Sequence, residues 1–242
     1  MSKKKAQRGG PQGWPVSRRR KRGIELEVFH GPPLGPGMET ADIATVMAAL
    51  ERFDPDLSWK QAQSRVLPML PRIRPLPVPE FDLARTMLPP GILVGFGIDL
   101  GPAITFVGAS LVERWQVDHP TLAQAALANV RRLADSCGRN LVVADHIAGV
   151  PVRFLQSRVG ISASLLLVPD RLERLFGPGP LLLLAPMRDL LIALPAEVDR
   201  EFAAWLAEEW EALDPNHLHL GGFRYERGVV IVEPLDEAFA RA

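Results

Sequence analysis

The run PLLLLAPMRDLLIALP, from Pro180 to Pro195, is the most apolar stretch of the chain and constrains its fold most strongly. Each half holds five apolar residues next to a proline, which suits a strand and is too short for a stable helix. Unbroken leucines, rather than alternating ones, indicate strands covered on both faces. We therefore predict a buried hairpin, with Pro186 at the second position of a type I turn across Ala185–Arg188.

The pair Arg188 and Asp189 in the middle of this run has two interpretations. At the tip of a hairpin, both charges would reach water. The alternative is a buried functional constellation. The proline and the lengths of the two apolar halves favour the hairpin tip, and the pair is retained as a candidate interaction surface.

The remaining patterns predict an α+β fold with a mixed or largely antiparallel sheet, packed by three or more helices. Helical spacing covers about 110–136, 162–176 and 196–213, and Pro169 kinks or splits the second of these helices. The strand-like segments are ILVGFGI, AITFVGA, NLVVAD, VRFLQSR and FRYERGVVIVEP, the last turning at Arg227–Gly228.

Four segments are predicted along the chain. Residues 1–37 are rich in Lys, Arg, Gly and Pro, and we predict that they form a disordered tail. Residues 38–70 read as a helical appendage, with one helix in ETADIATVMAALERF and another in SWKQAQSRVLPML. Residues 71–90 are proline-rich and read as an extended connector. The α+β core domain follows over 91–242.

A net charge of zero conceals a strong asymmetry between the tail and the rest of the chain. Residues 1–23 carry nine basic side chains and no acidic one, which leaves nineteen basic against twenty-eight acidic residues from Ile24 onward. Such a tail can bind the phosphates of RNA or DNA without sequence specificity, with Trp14 available to stack on bases. It can equally be a solubilising tail. The nine residues are Lys3, Lys4, Lys5, Arg8, Arg18, Arg19, Arg20, Lys21 and Arg22.

Cysteine usage and hydropathy bear on the compartment. The single cysteine, Cys137, excludes an intramolecular disulfide and favours a reducing compartment, so we expect a cytoplasmic protein. Gly138 after it is typical of a helix end. No apolar run is long enough for a membrane helix, because Arg188 and Asp189 interrupt the longest one.

The stretch from about Ala41 to Pro234 resembles the YtpQ-like bacterial family of unknown function. The resemblance rests on TFVGASLVERWQV…LAQAALANV, on GISASLLLVPDRLERLFGPGPLLLLAPMRDLLIAL and on the last strand, Tyr225 to Pro234. It implies an α+β cytosolic protein and supplies no reaction, cofactor or catalytic residue. The family-like positions taken as interaction candidates are Trp115, Asn129, Ser164, Arg188 and Asp189.

No motif of catalysis or cofactor binding is complete. GFGIDLG lacks the spacing of a dinucleotide loop, and GISAS has Ser164 where a nucleophile elbow needs glycine. His217 and His219 in NHLHL would share one face of a strand, which makes them weak metal candidates with a distant carboxylate; solvent-facing loop histidines are the alternative. We predict no cofactor.

Three functions remain open. The leading hypothesis is a non-enzymatic interaction module that binds a protein partner, or nucleic acid through the tail. The alternative is a hydrolase-type enzyme with a dispersed site. An assembly protein is the third, and it would expose an apolar patch. The residues considered for the hydrolytic site are Asp99, Asp145, Arg188, Asp189, His217 and His219.

Overall fold

The computed structural model describes residues 16–21, 24–29, 43–70, 83–101, 103–136, 142–156, 161–213, 217–218 and 220–235. The α-helices are α1 Ile43–Glu51, α2 Trp59–Ala62, α3 Ala109–Trp115, α4 His119–Ser136, α5 Leu172–Phe176 and α6 Arg200–Glu211. Two 3-10 helices, Ala163–Leu167 and Pro169–Arg171, precede α5. The strands are β1 Val16–Lys21, β2 Ile24–Phe29, β3 Val66–Met69, β4 Arg85–Leu88, β5 Ile92–Asp99, β6 Ile104–Phe106, β7 Val142–Ile147, β8 Val150–Gln156, β9 Leu181–Met187, β10 Leu190–Pro195, β11 Gly222–Glu226 and β12 Val229–Glu233.

The strands form two larger sheets and a separate hairpin. One sheet has six strands in the order β12-β11-β9-β10-β8-β7, and the other has the order β3-β5-β4 with β6 also paired to β5. Every pairing between the described strands is antiparallel. The described part of the chain combines six α-helices with antiparallel sheets, so the fold is α+β, which confirms the predicted class.

The hairpin β9–β10 lies at the centre of the six-stranded sheet and is buried on both faces. Leu181 and Leu183 of β9 point into a core shared with α4, the 3-10 helices and the four-stranded sheet. Leu182 and Leu184 point into a second core, covered by α6. The prediction that these leucine runs form strands covered on both faces is confirmed.

The turn of this hairpin differs from the predicted one. Strand β9 continues through Pro186 to Met187, and the turn falls at Arg188 and Asp189. The register shifts between Leu190 and Ile192, so that the β9 segment around Pro186 bulges. A proline lacks the N–H that a regular ladder needs, and a bulge accommodates it. The predicted type I turn across Ala185–Arg188 is therefore wrong, although the hairpin itself is confirmed.

The segment 58–90 departs most from prediction. Helix α2 ends after one turn, and Val66–Met69 forms strand β3 beside β5 instead of continuing the helix. On the other side of β5, Arg85–Leu88 forms strand β4 instead of a connector. Pro68 is tolerated in β3 because β3 is an edge strand. The first predicted helix of the 38–70 segment is confirmed as α1. The second predicted helix and the described part of the 71–90 connector are wrong, and residues of both segments lie in the core.

Within the predicted disordered tail of 1–37, the structure has an antiparallel hairpin of β1 and β2. The sequence IELEVF alternates in the manner of a strand. Cys137 and Gly138 lie outside the described residues. None of the helices in the described part of the chain has the length and apolar character that a bilayer crossing requires.

The N-terminal cap of helix α4 is the side chain of Asp118, which is a titratable group. Asp118 Oδ1 accepts a hydrogen bond from the Thr121 backbone N–H at 2.8 Å. Hydrogen bonds from the side chain and backbone of Thr121 hold the pKa of Asp118 below its ordinary value of 3.8. Because the folded state then binds fewer protons than the unfolded state, the cap stabilises the fold above about pH 3.8 and its contribution is lost as the pH falls.

We therefore expect Asp118→Ala to lower the thermal unfolding midpoint near pH 7, with the difference from the original chain shrinking as the pH falls below 3.8. Asp118→Asn is the matched control, because an amide oxygen still caps the helix and does not titrate. Calorimetry across this pH range measures both. A difference between Asp118→Ala and the original chain that is the same at every pH would contradict the titrating cap.

Candidate functional site

Three of the predicted interaction residues lie in the interior. Trp115, Asn129 and Ser164 are 9%, 7% and 2% exposed. Each of the three side chains donates a hydrogen bond to a backbone carbonyl within residues 57–68. Because they are buried, these three side chains do not form part of an exposed interaction surface.

The individual bonds show how this segment is held. The indole N–H of Trp115 donates to Leu57 O at 2.8 Å. Asn129 Nδ2 donates to Gln63 O at 2.8 Å and to Val66 O at 2.9 Å. The Ser164 hydroxyl donates to Pro68 O at 3.2 Å. Buried carbonyls need such donors, because leaving them unpaired costs free energy.

Arg188 and Asp189 sit at the β9–β10 turn and are both half-buried. The backbone around them is anchored on two sides. Arg188 O accepts from the Ala163 N–H at 3.1 Å, and Pro186 O accepts from the Leu218 N–H at 2.8 Å. The second bond brings the neighbouring His217 toward this turn. The pair is a packed hairpin tip rather than a fully solvated one.

The residues considered for a hydrolytic site do not form one cluster, because Asp145 and Asp99 lie away from the turn that holds Arg188 and Asp189. Asp145, on the edge strand β7, pairs with Val152 of β8. Val152 lies four residues along β8 from Gln156, which pairs with Leu190 next to the turn. At about 3.3 Å per residue and 4.8 Å per strand, that separates Asp145 from Asp189 by well over about 10 Å. Asp99 lies in the other sheet. His219 is outside the described residues, and those that are described contain no group of three His, Cys, Asp or Glu that could hold a metal.

The predicted nucleic-acid residues are described only in part. Five of the nine lie outside the described residues, namely Lys3, Lys4, Lys5, Arg8 and Arg22, whereas Arg18 to Lys21 belong to β1. The β1–β2 register sets Arg18 opposite Glu27 and Arg20 opposite Glu25, and it sets Arg19 and Lys21 opposite Leu26 and Ile24. Acidic residues thus stand beside half of the basic positions in β1. Binding of RNA or DNA by the tail stays a prediction.

A cavity of about 320 Å³ joins three elements that the sequence did not connect. It lies between the segment that leads into β3, the β5–β6 turn and the last turns of α4. Two arginines, Arg65 and Arg132, line it together with one carboxylate, Asp99. The remaining lining residues are Ser64, Leu67, Leu100, Gly101 and Leu133. No local motif marks this site, because the two arginines come from distant parts of the chain.

Strand β12 gives the molecule an apolar edge. It is the last strand of the six-stranded sheet and, among the described strands, pairs with β11 alone. Val229, Ile231 and Val232 are 56%, 56% and 47% exposed. The β11–β12 hairpin was predicted from its turn at Arg227–Gly228, where both residues have positive φ. Its position at the sheet edge was not predicted.

The chain matches no protein-family model, no curated protein and no solved structure.

Proposed function

We propose that the chain is a non-enzymatic protein-interaction module whose contact is strand β12, and that its partner is a second copy of the same chain. The observation that carries the proposal is the exposed apolar edge of β12. An edge strand offers unpaired backbone N–H and C=O groups, and another strand can continue the sheet by pairing with them.

Within its own described residues, β12 carries little of the charge that usually protects such an edge. Native edge strands are commonly blunted by charged side chains. The one charged residue of β12 is Glu233, and it forms an ion pair with Arg200 of α6. The Glu233 carboxylate is therefore paired with a helix of its own chain. The edge is left with branched apolar side chains, which favour pairing with another strand.

The sequence of β12 is compatible with pairing to itself. Antiparallel pairing of VVIVE centred on Ile231 would set Val230 opposite Val232 of the second copy, and Val229 opposite Glu233. Arg227, whose side chain is 91% exposed, would then lie diagonally from Glu233 of the second copy. Such a two-fold contact uses the same surface on both copies and closes on itself.

We expect the full chain to sediment as a dimer, and Ile231→Lys to shift the molecule to the monomer. Ile231 is 56% exposed, so a lysine there leaves the fold intact while setting two charges against each other at the centre of the contact. Sedimentation equilibrium should show the dimer dissociation constant rising by about tenfold or more, since like charges directly opposite are destabilising.

Met87→Lys is the matched control for this experiment. Met87 is 62% exposed on β4 of the other sheet, so it adds the same charge away from β12. A chain that sediments as a monomer at about 100 μM, far above the Kd of a specific contact, would overturn the proposal. So would a dimer that Met87→Lys weakens and Ile231→Lys leaves unchanged.

Membership of the YtpQ-like family and a cytosolic location remain parts of this proposal. The α+β fold agrees with the first, and the single cysteine supports the second.

A further inference from the structure

We propose that the cavity lined by Arg65 and Arg132 binds the phosphate group of a small phosphate monoester. The two guanidinium groups carry two positive charges on its wall, against one negative charge from Asp99. A phosphate monoester is largely a dianion at neutral pH, and arginine bonds phosphate oxygens through a planar set of N–H donors.

Both arginines are held in place by backbone carbonyls. Arg65 Nε donates to Asp99 O at 2.8 Å, which ties the segment before β3 to the β5–β6 turn. Arg132 Nη2 donates to Ser64 O at 2.9 Å and to Asn129 Oδ1 at 3.3 Å. Each guanidinium therefore has one side fixed to the frame of the cavity and keeps further N–H donors for a ligand. Fixing the donors in advance reduces the entropy cost of binding.

These two arginines differ from the arginines of α4, α5 and the 3-10 helix before α5 that form ion pairs. Arg131 pairs with Asp170, Arg171 pairs with Asp135 and Asp170, and Arg174 pairs with Asp135. Among the described residues, no carboxylate forms an ion pair with Arg65 or Arg132. Two cations that line one cavity without an ion-pair partner are stabilised by a bound anion.

The third lining charge does not neutralise the pair. Asp99 Oδ1 accepts a hydrogen bond from the Gly101 N–H at 2.7 Å, within its own turn. Its backbone carbonyl, rather than its carboxylate, is the group that holds Arg65. The carboxylate thus shapes the turn that carries one wall of the cavity.

The apolar part of the wall selects an ester over the free ion. Leu67, Leu100 and Leu133 line the cavity beside the arginines. Inorganic phosphate leaves these side chains without a partner, whereas an apolar body on the ester would cover them. A volume of about 320 Å³ is at the lower end of the range for small-ligand sites.

The test is titration calorimetry of the full chain with phenyl phosphate, inorganic phosphate and benzoate at constant ionic strength. We expect phenyl phosphate to bind about tenfold more tightly than inorganic phosphate, because its ring buries apolar surface. We expect benzoate to bind more weakly than phenyl phosphate, because it carries one charge. Amide NMR shifts on addition of phenyl phosphate should centre on Leu100, Gly101 and Arg132.

Variants separate a specific site from general electrostatic attraction. Arg65→Gln should weaken phenyl phosphate binding about tenfold or more, the size expected for losing charge-assisted hydrogen bonds. Arg65→Lys keeps the charge and should weaken binding less. Arg131→Gln is the control, since it removes the same charge next to Arg132 but outside the cavity lining.

Three results would overturn the proposal. The first is no saturable phenyl phosphate binding below about 10 mM, a concentration at which even weak sites fill. The second is equal weakening by Arg131→Gln and Arg65→Gln while circular dichroism shows both variants folded. The third is a set of amide shifts centred away from the cavity.

Discussion

Leu183→Ala should lower the free energy of unfolding by about 3 kcal/mol. Leu183 is fully buried in β9, where it pairs with Ala193 of β10 and Phe223 of β11. Strands on both sides and helices above hold the neighbouring side chains in place, so the cavity left by the missing atoms cannot collapse. Urea unfolding followed by circular dichroism measures the loss.

Leu93→Ala is the matched control for this prediction. Leu93 is the same residue type in a strand, but it is 40% exposed on β5. Its truncation should cost less than about 1 kcal/mol, because water already reaches the side chain. Equal losses for the two variants would contradict the central position of β9 between the two cores.

Asn129→Ala should lower the free energy of unfolding by about 2–3 kcal/mol. The substitution removes the donors of Gln63 O and Val66 O, the second of which is buried. Alanine has the higher helix propensity, so the loss would come from the unpaired carbonyls rather than from α4 itself. Because these carbonyls lie at the entry to β3, amide hydrogen exchange in β3 should also accelerate.

Gln124→Ala serves as the control, because it removes an exposed amide from the same helix. It should change the free energy of unfolding by less than about 0.5 kcal/mol. An Asn129→Ala variant that unfolds like the original chain, with unchanged exchange in β3, would show that the hydrogen bonds to residues 57–68 contribute little. Asn129 would then have to be reconsidered as a functional residue.

The hairpins and long helices were predictable because their signals are local. The β5–β6 and β11–β12 pairs each join two short apolar segments through glycine-containing turns. Helix α4 shows helical spacing, with Pro120 in its first turn. The split of the 162–176 helix at Pro169 was also predicted, although its first two parts are 3-10 helices.

The errors come from segments whose neighbours lie far along the chain. VLPM carries a proline and follows a helical pattern, so nothing local distinguishes a strand from a helix end. It becomes β3 because β5 offers an edge and Asn129 and Ser164 bond its carbonyls. The same holds for Trp115, whose large apolar ring with one N–H suits either an interface or a buried hydrogen bond.

The sequence by itself determined the α+β class, the two-sided burial of the central leucine hairpin and the position of most turns, because each depends on residues within a few positions of one another. Only the tertiary structure decided that β3 and β4 flank β5, that β12 forms an edge of the six-stranded sheet, and that Arg65 and Arg132 meet at one cavity. These features depend on which surfaces, distant along the chain, pack against one another. The spacing of residues within a short segment does not specify those contacts.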